Sequence, residues 1–235
     1  MPLEALLIDA FGTILHADPP WEGERERCLA ACLAAAGDVA PLPRFVEAYE
    51  AARARQHAAV SESHREFDFE ARFEDAFFAL GVADARILGR KAALAYMDFQ
   101  ANLVRAFDGA PAVLDELSKE FRLALVSNYP DGPALRGAME REKLLAPFEV
   151  VIVSGEHGWM KPHETIFTEA LAKLGLPASR ACMIGNDVEC DILPARKLGL
   201  RTVWTPYPRD ADGTAPADAT ARSWREVARV VRAWR

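Results

Sequence analysis

Five short apolar runs punctuate the chain, at residues 3–8, 122–126, 149–153, 181–184 and 201–204. Each is too short for a helix and rich in Val, Ile or Leu, so each predicts a buried strand. Polar positions hardly alternate within them, which favours parallel strands covered on both faces. Between them the apolar positions take a helical period. Residues 111–121 open after Asp108-Gly109 and bury Val113, Leu114 and Leu117. Residues 163–174 set Ile166, Phe167, Ala170, Leu171 and Leu174 on one stripe and stop at Gly175. Strand alternating with helix predicts right-handed βαβ units and an open parallel sheet.

Residues 18–105 break the alternation. They hold no convincing strand, and breaks at Gly37-Asp38 with Pro41 and Pro43, at 61–64 and at Gly81 divide them into about four helices. The expected fold is an α/β protein with a Rossmann-like parallel sheet as core, residues 1–17 and 105–235, and an inserted α-helical cap, residues 18–104. Phe67, Phe69, Phe73, Phe77 and Phe78 have helical spacing and are expected to pack the cap. Residues 210–219 are expected to form a loop. In the last helix Trp224, Val227, Val231 and Trp234 share one face, with Arg222, Arg225, Arg229 and Arg232 opposite as a solvated side.

Composition narrows the class. At 235 residues the chain buries a core without staples, and its charge of −7 argues against generic binding to nucleic acid or an anionic membrane. No run approaches a membrane span, and the first residues lack a signal-peptide pattern. Cys28, Cys32, Cys182 and Cys190 contain no C-x-x-C pair, which reads as reduced thiols in a cytoplasmic protein.

In an open parallel sheet, ligands bind beyond the carboxyl ends of the strands. Asp9, Phe11, Gly12 and Thr13 follow the first strand, and Ser127 and Asn128 the second. Lys161 comes after the third, and Asn186, Asp187, Glu189 and Asp191 after the fourth. A carboxylate at a strand end can attack an electrophile and split one hard step into two. Hydroxyl, amide and ammonium groups stabilise developing charge, and Asp9, Asp187 and Asp191 supply the hard oxygens magnesium prefers.

The order of these pieces resembles the haloacid dehalogenase superfamily over nearly the whole chain. The matching segments are Leu-Leu-Ile-Asp-Ala-Phe-Gly-Thr (6–13), Leu-Ala-Leu-Val-Ser-Asn (123–128), Gly-Trp-Met-Lys-Pro (158–162) and Met-Ile-Gly-Asn-Asp-Val-Glu-Cys-Asp-Ile (183–192). The helical insertion matches the superfamily's all-helical cap in position and length. The resemblance implies Asp9 as nucleophile, with Thr13, Ser127, Asn128 and Lys161 completing the catalytic set. Phe11, Gly12, Ser127, Asn128 and Lys161 are expected around the substrate. Magnesium is expected on Asp9, the Phe11 carbonyl, Asn186, Asp187 and Asp191. The expected substrate is a small anionic, phosphorylated metabolite, taken by a monomer or homodimer without nucleic acid or membrane.

Phe11 departs from the phosphatase pattern, because it stands where most phosphatases of the superfamily carry a proton-donating Asp. An aromatic residue there matches the dehalogenases, which release halide without protonation and without metal. Three other positions point back: Tyr49-Glu50 stand where dehalogenases carry an early cap Arg, with Arg44, Arg53 and Arg55 out of register. Phe167 replaces their Tyr, and Asp187 with Asp191 suit a metal. Asn186 stands where phosphatases usually have Asp and brings no charge. A 2-haloacid dehalogenase-like hydrolase and a non-catalytic anion-binding homologue are therefore the alternatives. Substitute acids are sought in His16, His57, His64 and Glu189. Cys182 is expected in the core, and His157 and Trp159 beside Lys161.

Overall fold

A computed structural model describes residues 2–206 and 213–235. The chain forms two compact units, residues 1–16 with 105–235, and residues 17–104. It begins with β1 (Ala5–Ile8) and β2 (Leu15–Ala17), followed by α1 (Trp21–Ala35), α2 (Leu42–Ser63), α3 (Phe69–Ala79) and α4 (Ala85–Leu103). It continues through β3 (Val104–Ala106), α5 (Ala110–Leu117), β4 (Arg122–Ser127), α6 (Gly132–Arg141), β5 (Val150–Val153), α7 (Ser154–His157) and α8 (Glu164–Leu174). Last come β6 (Ala181–Gly185), α9 (Leu193–Lys197), β7 (Arg201–Trp204), β8 (Ala219–Thr220) and α10 (Trp224–Arg232).

The larger unit is built on a six-stranded sheet of order β5-β4-β1-β6-β7-β8. All five pairings are parallel. On one face Leu7, Val126, Ile152 and Met183 pack with Ile166, Phe167 and Leu174 of α8. The alternate residues Leu6, Ile8, Leu125 and Ile184 are fully buried too. Both faces are covered, which explains the unbroken apolar runs. With β4 on one side of β1 and β6 on the other, the strand order reverses at β1, and its carboxyl end is the expected ligand crevice.

Three strands escape the sequence pattern. β2 and β3 pair as a separate ribbon, and β8 joins the sheet edge beside β7. Residues 210–212 of the expected loop lie outside the described residues, and its end at Ala219 is a strand. α5 stops at Leu117, four residues short of the expected end, because a tight turn at 118–120 leads into β4.

In the smaller unit the helices stop at the predicted breaks: Gly37 and Gly81 take positive φ after α1 and α3, and His64 does so after α2. Its core is a set of rings, with Phe45 on Phe77 and Tyr49 on Phe73 at centroid distances of 5.0 Å. Phe78 is the correction to the expected aromatic core, being 78% exposed. Phe73 and Phe77 lie four residues apart on the buried face, and Phe78 stands about 100° further round the helix. Tyr49 is buried core.

Trp224, Val227 and Val231 of α10 are buried. On the opposite side Arg232 pairs with Glu116 and Glu120, at 3.2 and 2.7 Å. All four cysteines are free thiols, and Cys182 is buried in β6. Among the described residues no helix is long and apolar enough to cross a membrane.

Candidate active site

β1 ends at Ile8, and Asp9 follows with its N–H bonded to the Ile184 carbonyl at 3.0 Å. This holds its backbone at the carboxyl end of β1, the strand between β4 and β6. Thr13 Oγ1 donates to Asp9 Oδ2 at 2.9 Å, and Lys161 Nζ donates to Asp9 Oδ1 at 2.7 Å. The same ammonium donates to Asp191 Oδ1 at 2.7 Å. Lys161 is 3% exposed and Asp191 1%. Burial alone would depress the lysine, but the carboxylates of Asp191 and Asp9 outweigh it and hold the ammonium well above its ordinary range. Burial pushes the Asp191 acid up, to about 7, against the pull of Lys161 and with the help of Asp9.

Asp9, Phe11, Ser127, Asn128, Lys161, Asn186, Asp187, Cys190 and Asp191 line one crevice of about 160 Å³. Eight of these nine were singled out in the sequence, and the structure brings them together. Two of them, Asn128 and Asp187, and the expected Gly12 outside the crevice lining also make bonds within the protein. Asn128 lines the crevice but spends one amide N–H on the Lys161 carbonyl at 2.9 Å and its Oδ1 on the Lys161 N–H at 2.7 Å. It is a clamp on the lysine's backbone. The Gly12 N–H donates to the Leu15 carbonyl at 2.7 Å, so it is committed to its own turn. Asp187 accepts the Glu189 and Cys190 N–H groups at 2.9 Å each and caps the π turn at Val188–Ile192. Ser127 Oγ has no hydrogen-bond partner among the described residues and stays free to donate.

Two glycines make this geometry possible. Gly12 has φ +86° and lies under the Asn186 amide, where a Cβ would collide with it. A Cβ on Gly185 would meet the Asp191 carboxylate. Two indoles brace the loops from behind: Trp224 Nε1 donates to the Thr13 carbonyl at 3.0 Å, and Trp204 Nε1 to that of Asn186 at 2.8 Å. Sequence reasoning assigned neither role.

Phe11 is seated rather than loose, its ring stacked on Tyr129 at 5.1 Å. Neither Phe11 nor Tyr129 replaces the missing acid at that position by an ionisable carboxyl. Of the substitutes considered, His16 stacks on Phe107 at 4.7 Å and is not among the crevice residues. Glu189 is exposed, and His57 and His64 belong to the helical unit. His157 pairs with Glu169 at 3.1 Å, and Trp159 stacks on His163 at 3.8 Å.

One atom of the Asn186 amide lies 3.1 Å from the Phe11 carbonyl oxygen, 3.3 Å from Asp9 Oδ2 and 3.2 Å from Thr13 Oγ1. With nitrogen there, the amide has these three acceptors for its two N–H groups. With oxygen there, it would stand beside the Phe11 carbonyl and Asp9 Oδ2, both oxygen donors of the kind magnesium takes. Asp9 and Asp191 also outnumber Lys161 by one charge, which a cation would balance. The donor types, carboxylate, carbonyl and amide, are those a hard divalent cation takes. Of the expected set, Asp187 spends Oδ1 on its own turn, and Asp191 accepts from Lys161 Nζ and the Asp187 N–H.

Cys190 was not foreseen at the crevice. Burial and then the Asp187 charge push its thiol up to about 12. At pH 8 its thiolate fraction is then about 10⁻⁴, against roughly a quarter for an ordinary cysteine. Iodoacetamide should therefore label it about 10³-fold more slowly than a free cysteine, with the rate rising about tenfold per pH unit. Peptide mass spectrometry follows this, and labelling at the rate of a free thiol would contradict the buried, acidic surroundings described.

The family model for haloacid dehalogenase-like hydrolases matches residues 3–199. A ribulose-1,5-bisphosphate 5-phosphatase from Halopiger xanaduensis is 34% identical over 139 residues, 59% of this chain and 56% of that protein. The chain thus spans about half the length of the curated relatives it matches. A 2-haloacid dehalogenase structure from Pseudomonas syringae superimposes with a TM-score of 0.73 at 22% identity, covering 99% of this chain and 100% of that one. The HAD-hydrolase YfnB from Bacillus subtilis, bound to magnesium, gives 0.67 at 20% identity, covering 98% and 99%. At these identities the two structures speak to the fold alone.

Proposed function

We propose a reaction for a chain that belongs to the haloacid dehalogenase-like hydrolase family: magnesium-assisted hydrolysis of a small phosphorylated metabolite. The observation that carries it is the buried Asp9–Lys161–Asp191 trio, which shares one crevice with Phe11, Ser127 and Asn186. Asp9, oriented by Thr13 and Lys161, attacks the phosphorus. The bond from phosphorus to the alcohol oxygen breaks, its electron pair leaves on that oxygen, and the oxygen takes a proton from solvent because Phe11 carries none. Water then attacks the same phosphorus and frees Asp9. Lys161 has a third N–H beyond its two carboxylate bonds, and with Ser127 it donates to the phosphoryl oxygens. Magnesium on Asp9, the Phe11 carbonyl and Asn186, with Asp191 adjacent, would supply the positive charge that lets one anion approach another. Residues 18–104 are read as the cap, and the four free thiols are in keeping with the cytoplasm.

Phe11 on Tyr129 favours a second reading, 2-haloacid dehalogenation, because a halide departs without a proton. A matched turnover assay separates the two. Purified protein is given p-nitrophenyl phosphate or L-2-chloropropionate, with millimolar magnesium and again with EDTA. Phosphate release that disappears in EDTA is the expected result, and halide release indifferent to EDTA would replace it with the second reading.

Phe11→Asp is a companion prediction. A carboxyl placed there can protonate the leaving oxygen, a contribution of roughly 10²–10⁴ in rate. At least a tenfold gain in phosphate release is expected, and kcat with p-nitrophenyl phosphate measures it. No gain would mean that protonation does not limit the rate.

A further inference from the structure

A second cavity, of about 230 Å³, lies beside the Gly12–Thr13 turn, with Phe107, Thr205, Trp224 and Val227 in its wall. All of its lining residues belong to the larger unit, and none of them lines the Asp9 crevice. Trp224 is 4% exposed, and bracing the Thr13 carbonyl accounts for its Nε1. It does not account for the space beside it.

Thr205 poses the same question. It is 9% exposed, its N–H donates to the Gly185 carbonyl at 2.9 Å, and its Oγ1 is buried with no hydrogen-bond partner among the described residues. A hydroxyl taken out of water is ordinarily paired. The other wall hydroxyls are already engaged: Thr13 Oγ1 donates to Asp9, and Ser223 Oγ accepts the Glu226 N–H at 3.2 Å. Oγ1 and Cγ2 of Thr205 branch from one carbon, so a turn about χ1 exchanges them and carries the hydroxyl round to an occupant.

The wall limits what that occupant is. Phe107, Pro206, Ala221, Trp224 and Val227 make it largely apolar. Asp108 and Arg222 are its charged members, both exposed and opposite in sign, so no net charge selects an ion. The first turn of α10 supplies its own carboxylate, Glu226 accepting the Arg222 N–H at 2.8 Å. An apolar cavity of about 150 Å³ is enough for benzene. This one therefore takes a ring with a small substituent.

We propose that this cavity binds a small neutral aromatic molecule carrying one hydroxyl or carbonyl group, its ring against Trp224 and Phe107 and its polar group on Thr205. Aromatic side chains are favoured neighbours for such a ring, and one placed hydrogen bond fixes its orientation. Trp224 donates to the Thr13 carbonyl and Thr13 Oγ1 to Asp9, so the occupant stands two hydrogen bonds from Asp9. An effect on turnover follows from that link and rests on the hydrolase reading above; binding does not.

Binding is read at Trp224 by fluorine NMR, in the full chain labelled with 5-fluorotryptophan at its five tryptophans. Trp224→Phe identifies the signal, or Trp→Phe at the other four does so by exclusion. Phenol is titrated in. The Trp224 signal should shift and saturate while those of Trp21 and Trp234 stay in place. Thr205→Val keeps the shape and removes the hydrogen bond, so phenol should bind it about fivefold more weakly. Toluene, matched in size but without a polar group, should bind parent and variant alike. A Trp224 signal unmoved up to the solubility limit of phenol overturns the proposal whether or not any variant folds. So does equal phenol affinity in parent and a folded Thr205→Val.

Turnover of p-nitrophenyl phosphate separates the site from the reaction. Saturating phenol should change kcat by about fivefold, with a midpoint that matches the Trp224 titration. A rise in KM alone would put phenol in the Asp9 crevice and count against the proposal. No turnover, with an intact Trp224 response, would count against the hydrolase reading and leave the cavity site standing.

Discussion

Lys161→Met should lower stability by about 3–5 kcal/mol, the range for breaking a buried ion pair by removing one partner. The midpoint of thermal unfolding should fall by roughly 6–20 °C for a chain of this size. The ammonium stands 2.7 Å from one oxygen of Asp9 and 2.7 Å from one of Asp191, all three groups being buried. Without it two carboxylates face each other in a low-dielectric pocket, and one must take a proton. The loss should depend on pH, with a sign set by Asp191, whose acid is already pushed up to about 7 in the parent. An acid raised above its unfolded value of about 3.9 binds more protons folded than unfolded between those limits. Its contribution is complete below about 3.9 and is lost as pH rises through the folded value. Removing Lys161 moves that value higher still, so the variant should be more compromised at pH 8 than at pH 5. Urea unfolding at both values measures it, and Asp191→Asn in the same chain should recover part of the loss. A variant within 1 kcal/mol of the parent at both pH values would mean the trio is solvated (compare the ~0–1 kcal/mol of surface pairs).

Much of this trio was legible in the sequence for a physical reason. A parallel strand covered on both faces leaves an unbroken apolar run, and its carboxyl end is then marked by the first polar residue. Asp9, Ser127 and Asn186 are each found that way, and Lys161 follows from its place after the third run. What the run cannot show is how a side chain is spent once it arrives. Asn128 and Lys161 are 33 residues apart, and nothing in either neighbourhood says that the amide closes on the lysine's backbone. Asp187 and Asp191 look alike as letters, yet one caps its own turn and the other is buried against Lys161. The Trp204 and Trp224 indoles are invisible for the same reason, since each reaches a carbonyl brought near only by the fold. β8 is two residues long and β2 and β3 three each, too few for any period. Arg72 shows the limit from the other side. A lone arginine in a helical stretch reads as surface, and only its burial among Phe67, Phe69 and Tyr49 makes it conspicuous.

Asp9→Asn should abolish turnover, by roughly 10⁴-fold or more in kcat, the scale seen when a nucleophile is removed. It should also leave the protein at least as stable as the parent. The two halves come from the same geometry. An amide oxygen cannot form the ester that an attacking carboxylate forms, so neither a phosphoryl nor a haloacid substrate is turned over. Yet Asn is the shape of Asp: with its Oδ1 toward Lys161 it still accepts from the ammonium, and its Nδ2 then faces Thr13, whose hydroxyl can turn to accept. Asp9 and Asp191 carry two negative charges against the single positive charge of Lys161. The substitution brings that buried set to neutrality and removes a repulsion that now helps push Asp191 up. A thermal midpoint equal to or above the parent's, together with loss of phosphate and halide release, is the expected pair. Full activity in the variant would remove Asp9 from the chemistry. An inactive variant with a sharply lowered midpoint would instead make Asp9 a structural partner of Lys161, and the catalytic assignment would have to move elsewhere in the crevice.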